Sequence, residues 1–180
     1  MGYIQTKQPL ANKRSRCFIM INNEIDHKRF LNFLEKSQEG VWIIAQWLNN
    51  LGHAVTVNPI KRSKHYKDWK ENVDDGDMYI SKNGEPLKRV EVKNLGASFT
   101  CAEDWPYKEQ FMVCAQYSYD YAKPKPFIYI YLNKERTHVA IIKTETKDNW
   151  FVKSYTDKRY EDVKQNFYIC PIKYVKFMPL

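Results

Sequence analysis

Cysteine is scarce in this chain and scattered. Its four copies, Cys17, Cys101, Cys114 and Cys170, form no CxxC pair, and no histidine lies at zinc-finger spacing from them. That pattern argues against a zinc module or a dithiol redox centre, and a reducing cytoplasm is the expected compartment, although spacing alone leaves a disulfide open. His27, His53, His65 and His138 share no metal-ligand spacing. No Ser/His/Asp or Cys/His arrangement, P-loop or dinucleotide fingerprint is present. Long apolar runs are also missing. The longest, such as Val41–Ala45, fall far short of a bilayer span, and the polar, basic N-terminus has no apolar signal-peptide core. Neither a repeat, nor a low-complexity tract, nor a Gly/Ser linker divides the chain. A single domain over residues 1–180 is therefore expected, with residues 1–16 as a flexible basic arm.

Acidic residues are the minority charge. Lys and Arg number 29 against 21 Asp and Glu, a net charge of +8 that favours polyanionic partners. A membrane surface is the weaker alternative, because no amphipathic helix gathers the basic residues. Asp26 is placed to cap a short helix carrying Phe30, Phe33 and Leu34. A second helix is expected over Glu39–Leu51, with Val41, Ile44, Ala45, Leu48 and Leu51 on one face and Gly52 as its stop. His53–Pro59 reads as a strand. Asn83-Gly84 between two extended segments signals a hairpin, and a second hairpin spans "PFIYIYL" and "THVAIIK". The segment "WPYKEQFMVCAQYSYDYA" reads as a helix burying Tyr107, Phe111, Cys114, Ala115, Ser118 and Ala122. The C-terminal residues read as basic strands.

One stretch places charge where apolar residues belong. In "GDMYISKNGEPLKRVEVKNL", Asp77 opens one strand, and Glu91 and Lys93 lie two apart on the next. Alternation turns Glu91 and Lys93 to one face and Val90 and Val92 to the other, and the hairpin sets Asp77 beside Glu91. Charges on a half-buried strand destabilise it unless they are paired. Two carboxylates and an ammonium at one sheet edge suit a hard divalent cation with positions left for water and phosphate. A second E-x-K, Glu145-Thr146-Lys147, lies in a polar turn with no acidic strand before it, so the tripeptide alone carries little.

With an Asp-strand followed by E-x-K, the sequence resembles the PD-(D/E)xK, or restriction-endonuclease-like, nuclease superfamily over about residues 37–132. The resemblance implies an α/β fold: a restriction-endonuclease-like core with a central mixed β-sheet flanked by helices, here with extra C-terminal β-strands. It implies a Mg2+-dependent deoxyribonuclease, with Mn2+ able to substitute. Asp77 and Glu91 match the metal ligands and Lys93 the catalytic lysine. Glu39 is the best match to a helper carboxylate on the first core helix, with Glu35 a second choice. Gln110 is the tentative match to a glutamine on the following helix, since Gln116 points away from that helix's apolar face. Gly76 stands where the family's motif has proline. DNA is the expected partner, gripped by Lys61, Arg62, Lys64, Lys67 and Lys70 with Tyr66 and Trp69 interleaved for base stacking. A small stand-alone endonuclease of phage or other prokaryotic type, acting in the host cytoplasm, fits the size. Whether a homodimer is needed to cut both strands is open. The competing expectation is a nuclease-like module that binds nucleic acid or a partner without cutting.

Overall fold

The computed structural model describes residues 24–61, 76–157 and 163–180. Its frame is a mixed six-stranded sheet covered on one face by a long helix and on the other by a smaller sheet. The helix α1 runs Glu24–Asn50 without interruption, merging the two helices expected from the sequence. It buries Val41, Ile44, Ala45 and Leu48, as its periodicity requires. Leu51, expected on the same stripe, is exposed because the helix has already ended. The chain turns at Gly52 in the left-handed region, at φ +84°, as glycine alone does readily.

The large sheet follows from short alternating segments: β1 (Ala54–Val57), β2 (Met78–Ser81), β3 (Lys88–Asn94), β5 (Ile128–Leu132), β6 (His138–Lys143) and β9 (Lys176–Pro179), in the order β1-β2-β3-β5-β6-β9. The β2–β3 hairpin turns at Asn83 and Gly84, both at positive φ, as an Asn-Gly turn should. Its register sets Met78 opposite Val90. Strands β3 and β5 run parallel, and every other pairing in this sheet is antiparallel. The connection between them contributes β4 (Gln110–Ala115) and the short helix α2 (Gln116–Tyr121). The helix expected across residues 105–122 is thus half strand. Phe111 and Cys114 are buried as expected, but Tyr107 is exposed. A bulge between Met112 and Cys114 turns Val113 and Cys114 inward together and breaks the two-residue alternation.

Strand β4 pairs with β8 (Val163–Pro171), which pairs with β7 (Phe151–Asp157), forming an antiparallel sheet of order β4-β8-β7. The extra C-terminal strands are therefore present. On its second face the large sheet is covered chiefly by this smaller sheet, with only the one-and-a-half-turn α2 beside it. Two cores result. Met78, Ile80, Val90, Val92, Ile128 and Ile130 pack with α1, while Tyr129, Tyr131, Ala140 and Ile142 pack with Phe111, Cys114, Tyr168 and Cys170 of the smaller sheet. Among the described residues no helix is long and apolar enough to cross a membrane.

Candidate metal and phosphate site

Strand alternation divides β3 as the sequence requires. Val90 and Val92 enter the core under α1, so Arg89, Glu91 and Lys93 face the smaller sheet. The parallel register sets Glu91 beside Tyr129 and Lys93 beside Tyr131. Asp77 stands just before β2, and its Oδ2 accepts a hydrogen bond from the backbone N–H of Val92 at 2.7 Å. That bond fixes the Asp77 carboxylate against the middle of the E-V-K tripeptide. The three residues on which the expectation centres are thus neighbours on two paired chain segments.

The fourth member, Arg89, was not singled out from the sequence. Its Nε and Nη2 both donate to Oε1 of Glu91, at 2.8 and 2.6 Å, and its Nη1 reaches the carbonyl of Pro124 at 3.4 Å. The Arg89 side chain is 8% exposed and that of Glu91 17%, so the ion pair is screened little by water. Both N–H groups meet the same oxygen. Among the described residues no hydrogen bond reaches Oε2 of Glu91. Lys93 is half-buried and has no hydrogen bond or ion pair among the described residues.

Gly76 is the hinge of this arrangement. Its φ is +96°, which the fixed φ of proline excludes. A Cβ there would fall inside contact distance of Arg89 Nε, 2.9 Å from Glu91 Oε1 and 3.0 Å from Arg89 Cγ. Glycine at this position therefore makes room for the Arg89–Glu91 pair, a sequence signal that could have led to Arg89.

The surrounding groups stay neutral. Burial pushes the Cys114 thiol up, a hydrogen bond from Tyr129 and the nearby Lys93 pull it the other way, and Glu91 and Asp120 raise it further. Burial likewise raises the Tyr129 phenol. The Tyr168 phenol is pushed up to about 12 by burial and by the hydrogen bond it donates to Asp120. With the thiol and the phenols held neutral near neutral pH, the charged donors at this face are carboxylate oxygens, the type that a hard cation prefers. Asp77 and Oε2 of Glu91 fit that demand as two ligands, with the remaining positions left to water or phosphate. Among the described residues no cluster of three or more His, Cys, Asp or Glu is placed to hold a metal, and Asp77 and Glu91 are the two carboxylates brought together here.

The other expected residues are placed differently. Glu39 lies on α1, the helix that covers the Val90/Val92 face, and its carboxylate pairs with Arg136 in the β5–β6 turn. Its neighbour Gly40 packs directly against the side chain of Asn94 at the end of β3. Glu35 is on the same helix. Gln110 begins β4, where its side-chain oxygen accepts from Lys153 at 3.4 Å, and it is not joined to the Asp77–Glu91 pair. Gln116 instead lies on α2, where its Oε1 accepts from Asn166 at 3.3 Å. Lys61 is exposed. Arg62, Lys64, Tyr66, Lys67, Trp69 and Lys70 lie outside the described residues. Comparison with known protein families, with curated proteins and with solved structures finds no match to this chain.

Proposed function

We propose that this protein is a divalent-metal-dependent phosphodiesterase acting on nucleic acid, with DNA as its substrate and a site of the PD-(D/E)xK type. The observation that carries the reading is the meeting of Asp77, anchored by the Val92 N–H, with Glu91 and a half-buried Lys93, which has no ion pair among the described residues, on the adjoining strand. The chain order also supports it: helix, three antiparallel strands with the acid before the second and E-x-K on the third, then a crossover to a parallel strand. Asp77 and Glu91 would hold the cation through hard carboxylate oxygens. A bound Mg2+ would supply Lewis-acid polarisation of a phosphate oxygen and a more acidic water. Lys93 would stabilise the charge that develops on the phosphate and orient the attacking water. The basic segment from Lys61 to Lys70 would grip the backbone, consistent with the net charge of +8. Glu39, paired with Arg136, is left out of the ligand set.

One observation favours a second reading, a nucleic-acid-binding or partner-binding module that does not cut: Glu91 already has a cationic partner in Arg89. The test is incubation with plasmid and with single-stranded DNA in Mg2+, Mn2+ or EDTA, beside Glu91→Ala. Cleavage that needs the metal and disappears in the variant supports the enzyme. Binding without cleavage under every condition refutes it and leaves the module.

A further inference from the structure

We infer that Arg89 is a resident competitor for the cation at Glu91, so that the site takes up its divalent ion weakly alone and fills when nucleic-acid phosphate arrives with it. The inference rests on the reading above and concerns how that site is loaded.

Charge is the first ground. Asp77 and Glu91 contribute two negative charges, Arg89 and Lys93 two positive ones, so these four side chains sum to zero. A bare pair of carboxylates would attract a divalent ion strongly. Here, among the described residues, the ion approaches a balanced set of side chains, one of whose ligands is already shared. Geometry is the second ground. Arg89 cannot readily swing out to solvent. It is buried, its aliphatic stem and Nε lie over Gly76, and its Nη1 points at the Pro124 carbonyl. The guanidinium therefore remains close to whatever binds at Oε2, and it disfavours a cation there by direct repulsion. A phosphodiester offsets that repulsion, because its negative charge enters beside Lys93, the one cation of the four with no ion pair or hydrogen bond among the described residues. By linkage, the factor by which phosphate tightens the metal is the factor by which the metal tightens phosphate. Arg89 is thus a positioning residue. It acts through Glu91 and sets when the site is charged.

Mn2+ binding to the full chain, measured by calorimetry without turnover, tests this. The proteins compared are the wild type, Arg89→Gln, Arg89→Met, Arg89→Lys and Glu91→Gln, each checked for folding by circular dichroism. Titrations are run alone and with a short duplex of hydrolysis-resistant phosphorothioate linkages. At an effective dielectric of about 20, a unit charge a few ångströms from a divalent ion disfavours it by well over tenfold. Tenfold is therefore the smallest supporting change. The expected result is that Arg89→Gln and Arg89→Met bind Mn2+ alone at least tenfold more tightly than wild type, while Arg89→Lys, which keeps the charge, does not. Wild type should gain at least tenfold when the duplex is added. If Mn2+ binding depends on Glu91 but neither neutral variant tightens it, the inference fails and the metal-site reading survives. If no protein shows Glu91-dependent Mn2+ binding even with the duplex, both fail. Should the neutral variants not fold, micromolar Mn2+ binding by wild type without duplex would by itself overturn the inference.

Discussion

Replacing Gly76 by alanine probes the least forgiving point of the site. Two penalties add. The backbone at φ +96° is strained for any side-chain-bearing residue, by about 1–3 kcal/mol. The new methyl would also intrude on Arg89 Nε and Cγ and Glu91 Oε1, displacing a buried pair held by two charged hydrogen bonds. Hydrogen bonds to charged groups contribute about 1.5–3 kcal/mol each, and partial relaxation retains some of that, so about 2 kcal/mol is expected from this source. The sum is about 3–5 kcal/mol. For a chain of this length each kcal/mol lowers the melting temperature by about 2–4 °C, so a fall of about 6–20 °C should appear. Urea unfolding followed by tryptophan fluorescence measures the free energy, and a double-mutant cycle with Arg89→Met separates the two parts. With the guanidinium gone, the tightest contact and the paired hydrogen bonds are lost, so Gly76→Ala should cost less than in wild type and approach the backbone share. An equal cost in both backgrounds would refute the steric account, and a cost under about 1 kcal/mol would refute both accounts. Gly40→Ala is the contrasting case. Its Cβ would collide with Asn94, but that side chain is exposed and makes only hydrogen bonds of 3.2 and 3.5 Å to helix carbonyls. It can swing aside while the helix gains alanine's better propensity, so stability should stay within about 1 kcal/mol of wild type.

Three further outcomes can be checked directly. Tyr131→Phe removes the buried hydroxyl that donates to the Val113 carbonyl at 2.6 Å and leaves that acceptor without its donor. It should destabilise the fold by about 1–3 kcal/mol in urea titration, and no change would show the bond to be dispensable. The Asp104 carboxyl is lowered to about 2 by hydrogen bonds from the Thr100 hydroxyl and from the N–H groups of Cys101 and Thr100. A depressed folded-state pKa means that this bracing is in place above the ordinary aspartate range near 4 and is lost as pH falls towards 2. Hydrogen exchange at Thr100 and Cys101 should therefore lose protection in that window relative to neighbouring amides, and flat protection down to pH 2 would contradict it. Glu39→Gln breaks a largely exposed pair with Arg136. It should change stability by less than about 1 kcal/mol and leave cleavage within about threefold. A tenfold loss of cleavage with unchanged melting would return Glu39 to the site.

Much of the frame was legible because local chemistry and tertiary need agree there. Asn83-Gly84 turned where its dihedral preferences predict, and the valines of R-V-E-V-K entered the core on the face opposite the charges. Residues 105–122 misled for a definable reason. The bulge after Met112 buries Val113 and Cys114 in succession, so a strand and the start of a helix together imitate a 3.6-residue stripe. Cross-strand pairing with β8, from Gln110 with Pro171 to Ala115 with Phe167, which no local pattern records, decided the matter. Leu51 failed as a core residue because the stripe outlasted the helix by one position. Arg89 was missed although it stands on the same alternating face of R-V-E-V-K as Glu91 and Lys93. A basic residue two before an acid on a strand reads as solvated surface, and only the glycine before Asp77 hinted at a guanidinium that had to be accommodated.

The pairing of β4 with β8 bears on how the chain reaches its native state. Strand β4 leaves the middle of the crossover between the two parallel strands, and its partner is made of residues 167–171. The outermost strand of the large sheet, β9, comes later still. Neither layer can close until nearly the whole chain is present, and the aromatic face of Tyr129 and Tyr131 stays uncovered until then. Such non-local closure predicts slow, highly cooperative folding without a stable half, and a nascent chain lacking its last twenty residues would expose that face to aggregation.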